Sequence, residues 1–351
     1  MVATRVDVVV IGGGAMGAAT AWWLARAGRA PVLLEQFAPG HTRGSSHGAS
    51  RIFRFAYPLP RYVRMAVLAL PLWRELEADS GTTLLETTGG IDHGDDLSVQ
   101  ATAEAMDGQG VQYEFLTADA ATERWPGMRF DGDVLFQPDA GRCHADNTVR
   151  ALLDGAARHG AQVRYGQAVT SIAMQHDDVV VRTSEDDEYR ASVVVLAAGA
   201  WMSKLVGKMA PLPKLKVTQE QIFHFPPVDR RSAWPSFIHH REPFIYGLET
   251  PDEGVKVAEH HTGAVVDPDA RSFAIDPVGE ARVREYVSTW LPGLDPAPTS
   301  STTCLYTTTP TEDFHITREG PIVVVSACSG HGFKFTPLVG RMAAELATAK
   351  G

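Results

Sequence analysis

Val6-Asp7-Val8-Val9-Val10-Ile11-Gly12-Gly13-Gly14-Ala15-Met16-Gly17 is the stretch whose reading decides the fold. Five of its first six residues are apolar and most of those are β-branched, which predicts a strand buried on both faces. The next six satisfy the spacing GxGxxG. An alanine-rich run through Leu24 to Ala27 reads as a helix, and Gly28 is placed to end it. Val32 to Glu35 reads as a second short strand. Together these make the β-α-β unit that opens a parallel sheet.

The glycine spacing alone is a weak signal. Its context strengthens it: a strand before, a helix after, and an acid closing the next strand. Gly12 permits the tight turn. Gly14 lets backbone N–H groups approach a pyrophosphate at the helix N-terminus, where the dipole favours anions. Gly17 allows close packing of helix on strand. Glu35, 18 residues beyond Gly17, is placed to accept hydrogen bonds from ribose hydroxyls. FAD and NAD both use this arrangement.

The next stretch bears on that choice. Gly40 to Tyr57 carries His41, Arg43, His47, Arg51 and Arg54, interleaved with Ser45, Ser46 and Ser50. A long cationic loop in a chain of formal charge −10 suits a second pyrophosphate contact and an electron-rich ring. Only one GxGxxG occurs, whereas enzymes that reduce their flavin with NAD(P)H commonly carry a second nucleotide domain. This favours an oxidase half-reaction with dioxygen or another acceptor.

Further along, helices are predicted over 61–80, Asn147 to His159, 278–290 and Pro337 to Ala349. A β-rich middle is expected up to about residue 144. Strands are expected at Ala161 to Ile172, Asp178 to Thr183, Ser192 to Ala197 and Ile322 to Ser326, with an antiparallel sheet over 211–265. The 351 residues allow two packed units. The acidic balance gives little support to nucleic-acid or anionic-membrane partners. The apolar run near residue 8 falls short of the roughly 20 residues that span a bilayer. Three cysteines, Cys143, Cys304 and Cys328, make neither a disulfide framework nor a zinc-type pairing, so no metal site is expected. With no leader sequence apparent, a cytoplasmic location is expected.

Several motifs resemble one family in the same order along almost the whole chain. Ser46-His47-Gly48-Ala49-Ser50-Arg51-Ile52-Phe53-Arg54 resembles the flavin-facing loop of monomeric sarcosine oxidases and N-methyltryptophan oxidases. Ala198-Gly199-Ala200-Trp201 and Ile245-Tyr246-Gly247 ahead of Val255-Lys256-Val257 agree with it. So do Cys304-Leu305-Tyr306-Thr307 and Ser329-Gly330-His331-Gly332-Phe333-Lys334-Phe335, which are the most specific elements. The implied fold is α+β, a Rossmann-like FAD-binding domain with a discontinuous, mostly antiparallel β-sheet substrate domain. Residues 1–85, 145–212 and 300–351 are expected in the first, and 86–144 and 213–299 in the second.

The resemblance also implies roles. Cys304 would carry FAD through a thioether at the flavin 8α position, leaving Cys143 and Cys328 to pack. His47, Ser50, Arg51, Val169, Gly199, Gly330, Gly332 and Phe333 would join Gly12, Gly14, Gly17 and Glu35 around the cofactor. Arg54 and Lys334 would hold a substrate carboxylate, one as a bidentate fork and one as a point charge. Tyr246, Tyr306 and His260 would enclose the amine. Lys256 would promote the reaction with dioxygen, a fixed positive charge stabilising superoxide. Strand alternation independently puts Lys256, Ala258 and His260 on one face.

The chain departs from the family in places. Ala49 stands where an acid is common, and the chain ends at Gly351 where relatives continue with a further short segment. Ile238 and Phe244 differ enough that sarcosine is not assigned as the substrate. The expected reaction is oxidation of a secondary or cyclic amino acid to an imine, with hydrogen peroxide as co-product. A same-fold dehydrogenase, an oxidase of glycated amino acids, and a non-catalytic flavin-binding protein are the alternatives. Arg54, Lys256 and Lys334 count against the last, because binding FAD alone needs no carboxylate pocket.

Overall fold

The computed structural model describes residues 4–176, 178–229 and 231–349. Its first strand, Thr4–Ile11, is buried from Val8 onward and pairs in parallel with Val32–Glu35 on one side and Glu188–Leu196 on the other. The apolar run seen in the sequence is therefore a central strand covered on both faces. Gln162–Tyr165 and Ile322–Ser326 extend the parallel order at either side. The hairpin strands Val169–Gln175 and Asp178–Thr183, and the strand His315–Glu319, add antiparallel pairings to complete eight described strands.

The helix Ala15–Arg26 ends as the sequence predicts. Gly28 takes φ +75°, its N–H donates to Ala25 O, and the Arg29 N–H donates to Leu24 O. That pair of bonds is a Schellman cap, and it uses carbonyls the helix would otherwise leave unpaired. Small residues then let helices approach closely. A Cβ on Gly340, in the helix Thr336–Thr348, would meet Ala19 Cβ at 2.4 Å.

A second, nine-stranded sheet is antiparallel except where Gly90–Gly94 pairs in parallel with Ser236–His240. Its own core gathers Trp125, Phe136, Phe223, Phe237, Val257 and Leu291. A small three-stranded sheet of Arg51–Phe53, Gly141–Cys143 and Leu85–Thr87 also forms.

Three expectations need correction. The stretch before residue 144 also contains helices, Asp96–Asp107 and Ala118–Arg124, each started by a side-chain cap, Asp95 and Thr117. Ala161 to Ile172 is not one strand. Gly166, at φ +70°, breaks it into Gln162–Tyr165 and Val169–Gln175, which lie far apart in the strand order of one sheet. Ser300–Thr308, expected in the FAD-binding part, is paired along its length with Lys216–Phe225 of the nine-stranded sheet.

No helix among the described residues is long and apolar enough to cross a membrane.

Candidate active site

The parallel strands end at one cavity of about 1590 Å³, bordered on the far side by the antiparallel sheet. Ligands in open α/β sheets bind at these carboxyl ends. The volume exceeds the 300–1,000 Å³ typical of drug-sized ligand sites. Of the site residues named from the sequence, all but Gly17 line it.

Gly17 acts from behind the wall. A Cβ there would sit 1.9 Å from Gly12 O, so no other residue allows the helix to start so close to the strand. Gly12 has φ +103°, and a Cβ on it would meet Ala197 O at 2.5 Å. Gly14 caps the helix without a side chain, and the Ala15 N–H donates to Ser46 Oγ at 3.0 Å. Glu35 is buried, its carboxylate accepting from Gly13 N at 2.7 Å and Phe37 N at 2.8 Å. Val169 and Gly199 border the same region, Gly199 at φ +49°.

The cationic loop folds over this floor. Arg51 donates to Ser45 O at 2.9 Å and to His47 O at 2.6 Å, so the guanidinium holds the loop's own carbonyls together. His47 is buried with Nε2 unpartnered, and burial and then Arg51 push its pKa down to about 3. A buried polar atom without a partner is costly, and here it borders the cavity. Ser50 Oγ meets Thr250 Oγ1 at 2.7 Å, and Ser50 O accepts from Lys256 Nζ at 2.5 Å. Burial, reinforced by Arg51, holds the Lys256 ammonium well below the usual lysine range.

Arg54 and Lys334 converge from segments 280 residues apart on a residue the sequence reading passed over, Tyr57. The Arg54 guanidinium lies 4.4 Å from the centre of the Tyr57 ring, and Lys334 Nζ donates to Tyr57 Oη at 2.8 Å. Lys334 is buried, and that burial, with Arg54 beside it, pushes its pKa well down. Arg54 and Lys334 bring a guanidinium and an amino group to one cavity. Among the described residues Tyr57 Oη is the only side-chain hydrogen-bond partner of Lys334 Nζ, so the pair makes a place for an anion. Asp92, Gln137 and His240 were also passed over. Asp92 is fully buried and accepts from Arg54 at 3.3 Å and from Gln137 at 2.9 Å. No spacing signals these, because they lie on three different strands or strand ends.

At the opposite wall, Cys304 is buried across from Glu220. Burial raises its thiol, Arg51 and Lys256 oppose that, and Glu220 adds to it. His260 Nδ1 is 3.3 Å from Tyr306 Oη, and both line the cavity with Tyr246. Enclosure, then His261, holds His260 well below the usual imidazole range, so its ring is neutral. The loop Gly330 to Phe333 closes this end, with Gly330 at φ +75° and a Gly332 Cβ position only 1.7 Å from Ala327 O. Cys328, expected only to pack, borders the cavity as well, its Sγ accepting from Thr307 N at 3.4 Å.

Residues 7–346 match the family described as FAD dependent oxidoreductase. The chain belongs to that family. It is 32% identical to monomeric sarcosine oxidase of Bacillus sp. (strain NS-129), over 98% of this chain and 93% of the relative. It is 34% identical to peroxisomal sarcosine oxidase of Homo sapiens, over 97% and 91%. N-methyl-L-tryptophan oxidase of Yersinia pestis (strain Pestoides F) is 30% identical over 98% and 95%. Among solved structures, NikD, an unusual amino acid oxidase essential for nikkomycin biosynthesis, superposes with a TM-score of 0.89 at 30% identity, over 98% of this chain and 94% of that one. The α+β architecture is therefore that of the FAD-dependent enzymes, and this protein is an FAD-dependent amine or amino-acid oxidoreductase.

The residues present fit the cofactor of this flavoenzyme family. The glycine floor would be filled by any Cβ, Gly14 at the helix start offers no capping side chain of its own, and the unpartnered His47 Nε2 borders the cavity. Gly12 to Ala15 and Glu35 would hold the nucleotide half, and the loop from Ser45 to Arg51 the remainder.

Proposed function

We propose that this flavoenzyme oxidises a secondary or cyclic amino acid, of the N-methyl kind, to an imine while reducing dioxygen to hydrogen peroxide. The observation that carries the reading is the convergence of Arg54 and Lys334 on Tyr57 within the cavity that also holds the glycine floor. FAD, when bound, supplies the acceptor for the two electrons that leave the C–H bond beside the nitrogen as C–N becomes C=N. The protein binds, orients and charges the site.

In this reading Arg54 and Lys334 grip the carboxylate, which orients the amine toward His260 and Tyr306. The neutral His260 spends Nδ1 on Tyr306 and leaves Nε2 to accept from the substrate nitrogen. A neutral imidazole suits an amine that must itself be neutral to lose electrons. Lys256 places an amino group among buried neighbours, where a positive charge would favour oxygen taking up electrons. Cys304 is the residue through which FAD would be tethered, with Arg51 and Lys256 favouring its thiolate.

The test is a screen of N-methyl and cyclic amino acids, reading peroxide release in air and loss of flavin absorbance without oxygen. Peroxide with an N-methyl or cyclic amino acid supports the reading. Bleaching without peroxide replaces it with a dehydrogenase, and no bleaching with any member of either class overturns the substrate assignment.

A further inference from the structure

On the face of the antiparallel sheet turned away from the cavity, two histidines stand side by side. His93 and His239 are direct partners across the parallel pair Gly90–Gly94 and Ser236–His240. Their ring centres are 4.0 Å apart, and they are 1% and 2% exposed. Neither ring nitrogen of His93 has a hydrogen-bond partner. Leaving one buried polar atom unpaired is costly, and a buried imidazole with both unpaired calls for a ligand or another explanation. His239 Nδ1 is 3.0 Å from Tyr286 Oη, which leaves Nε2 free. Asp131, exposed on the approach to the strand Val134–Gln137, brings a carboxylate so that one ligand atom from each of the three lies within 4.8 Å of the others.

We propose that His93, His239 and Asp131 bind a single divalent transition metal ion of the zinc class. Two imidazoles and one carboxylate are a donor set for zinc, cobalt or nickel rather than for magnesium or calcium, which take oxygen ligands. Zinc holds such ligands at about 2.0–2.2 Å, so ligand atoms spread over as much as 4.8 Å draw together on binding, and the exposed Asp131 is the member of the set freest to move. The Tyr286 hydroxyl is the outer partner that fixes the ring of a ligating histidine. Phe130 stands edge-on to His93 at 5.1 Å and Trp290 edge-on to His239 at 4.7 Å, so the rings sit in an apolar frame. Arg241, over the Tyr286 and Trp290 rings, is the positive charge that opposes the ion, and Asp131 is its counterweight.

None of the three residues lines the flavin cavity, so the ion takes no part in the flavin chemistry, and its fourth position falls to water. It would clamp the strands whose other face presents Asp92 and His240, which meet at 2.9 Å. No local spacing announces the site, since its ligands come from residues 93, 131 and 239.

The test uses tag-free, flavin-loaded protein stripped with a chelator, with Zn²⁺ as the probe. Equilibrium dialysis should load one zinc per chain, and zinc at a hundred times its Kd should raise the thermal midpoint by a few degrees. Asp131→Ala, at an exposed position, should weaken zinc binding at least tenfold without altering the flavin spectrum. His93→Phe, which keeps the core filled, should abolish both loading and stabilisation. The proposal is overturned if the parent keeps no zinc. It is equally overturned if His93→Phe binds zinc as the parent does. Should His93→Phe fail to fold, an unchanged zinc affinity in Asp131→Ala overturns it alone.

Discussion

Asp92 Oδ1 lies 3.3 Å from Arg54 Nη1 and 2.9 Å from His240 Nε2, at a point sealed from solvent. Its other oxygen accepts from Gln137, whose own carbonyl accepts from the Phe55 and Ala56 N–H groups at 2.9 Å each. The acid thus fixes both the guanidinium and, through Gln137, the backbone beside it. Removing the negative charge should loosen Arg54 without touching the glycine floor. Asp92→Asn is expected to bind acetate about tenfold more weakly while retaining FAD, as one charge-assisted hydrogen bond is worth about 1.5–3 kcal/mol. A spectral titration checks it, and an unchanged affinity means Arg54 is positioned by something else.

Arg54 and Lys334 should each matter directly to carboxylate binding. Arg54→Ala or Lys334→Ala is expected to cost roughly 10- to 150-fold in acetate affinity. The pH dependence has a definite sign. Burial lowers the Lys334 pKa well below 10.5, so the ammonium that attracts the carboxylate is present at low pH. Acetate affinity should fall as pH rises through that lowered value, and Lys334→Met should flatten this limb. A limb of unchanged steepness in Lys334→Met would assign the titration to another group.

Lys256 separates the two half-reactions. It is bonded to Ser50 O and buried, with no carboxylate bonded to it. Lys256→Met is expected to slow reoxidation by roughly 10²-fold or more, since the site then keeps no amino group able to carry positive charge where oxygen gains electrons, a loss that costs a few kcal/mol in a dry site. Anaerobic reduction by substrate should change much less. Stopped-flow traces in which reduction slows and reoxidation does not would move Lys256 to the substrate side.

A covalent tether through Cys304 predicts a colour test. Acid-precipitated protein should stay yellow, and Cys304→Ala should release its flavin into the supernatant. Because burial raises the thiol and only Arg51 and Lys256 oppose it, Arg51→Ala should slow the tethering of added FAD to apoprotein. A colourless pellet from fully loaded parent protein removes the linkage and leaves FAD binding standing.

The amino-terminal unit was legible residue by residue because its signals are local. A strand of β-branched residues, three spaced glycines, an alanine helix ended by Gly28, and an acid closing the next strand all act within about thirty-five positions. The same holds for the loop motifs, whose residue types survive as a pattern. Local signals also misled. Ala161 to Ile172 has the composition of one strand, yet Gly166 turns the chain and sends its halves to separate places in the sheet.

Contacts that join distant segments could only be decided by the fold. Lys334 and Arg54 are recognisable as cations in the sequence, but nothing there says that Tyr57 lies between them. Asp92 reads as an ordinary polar residue in a short strand until Ser236–His240 pairs beside it and burial makes its charge a constraint on Arg54. His93 and His239 alternate on the other face of those same strands for the same reason. A strand sets which face a side chain takes, with period two. Which strand lies alongside, and what that face then encloses, is set by the packing of the whole sheet, because hydrogen-bond pairing and burial are properties of segments far apart in the chain.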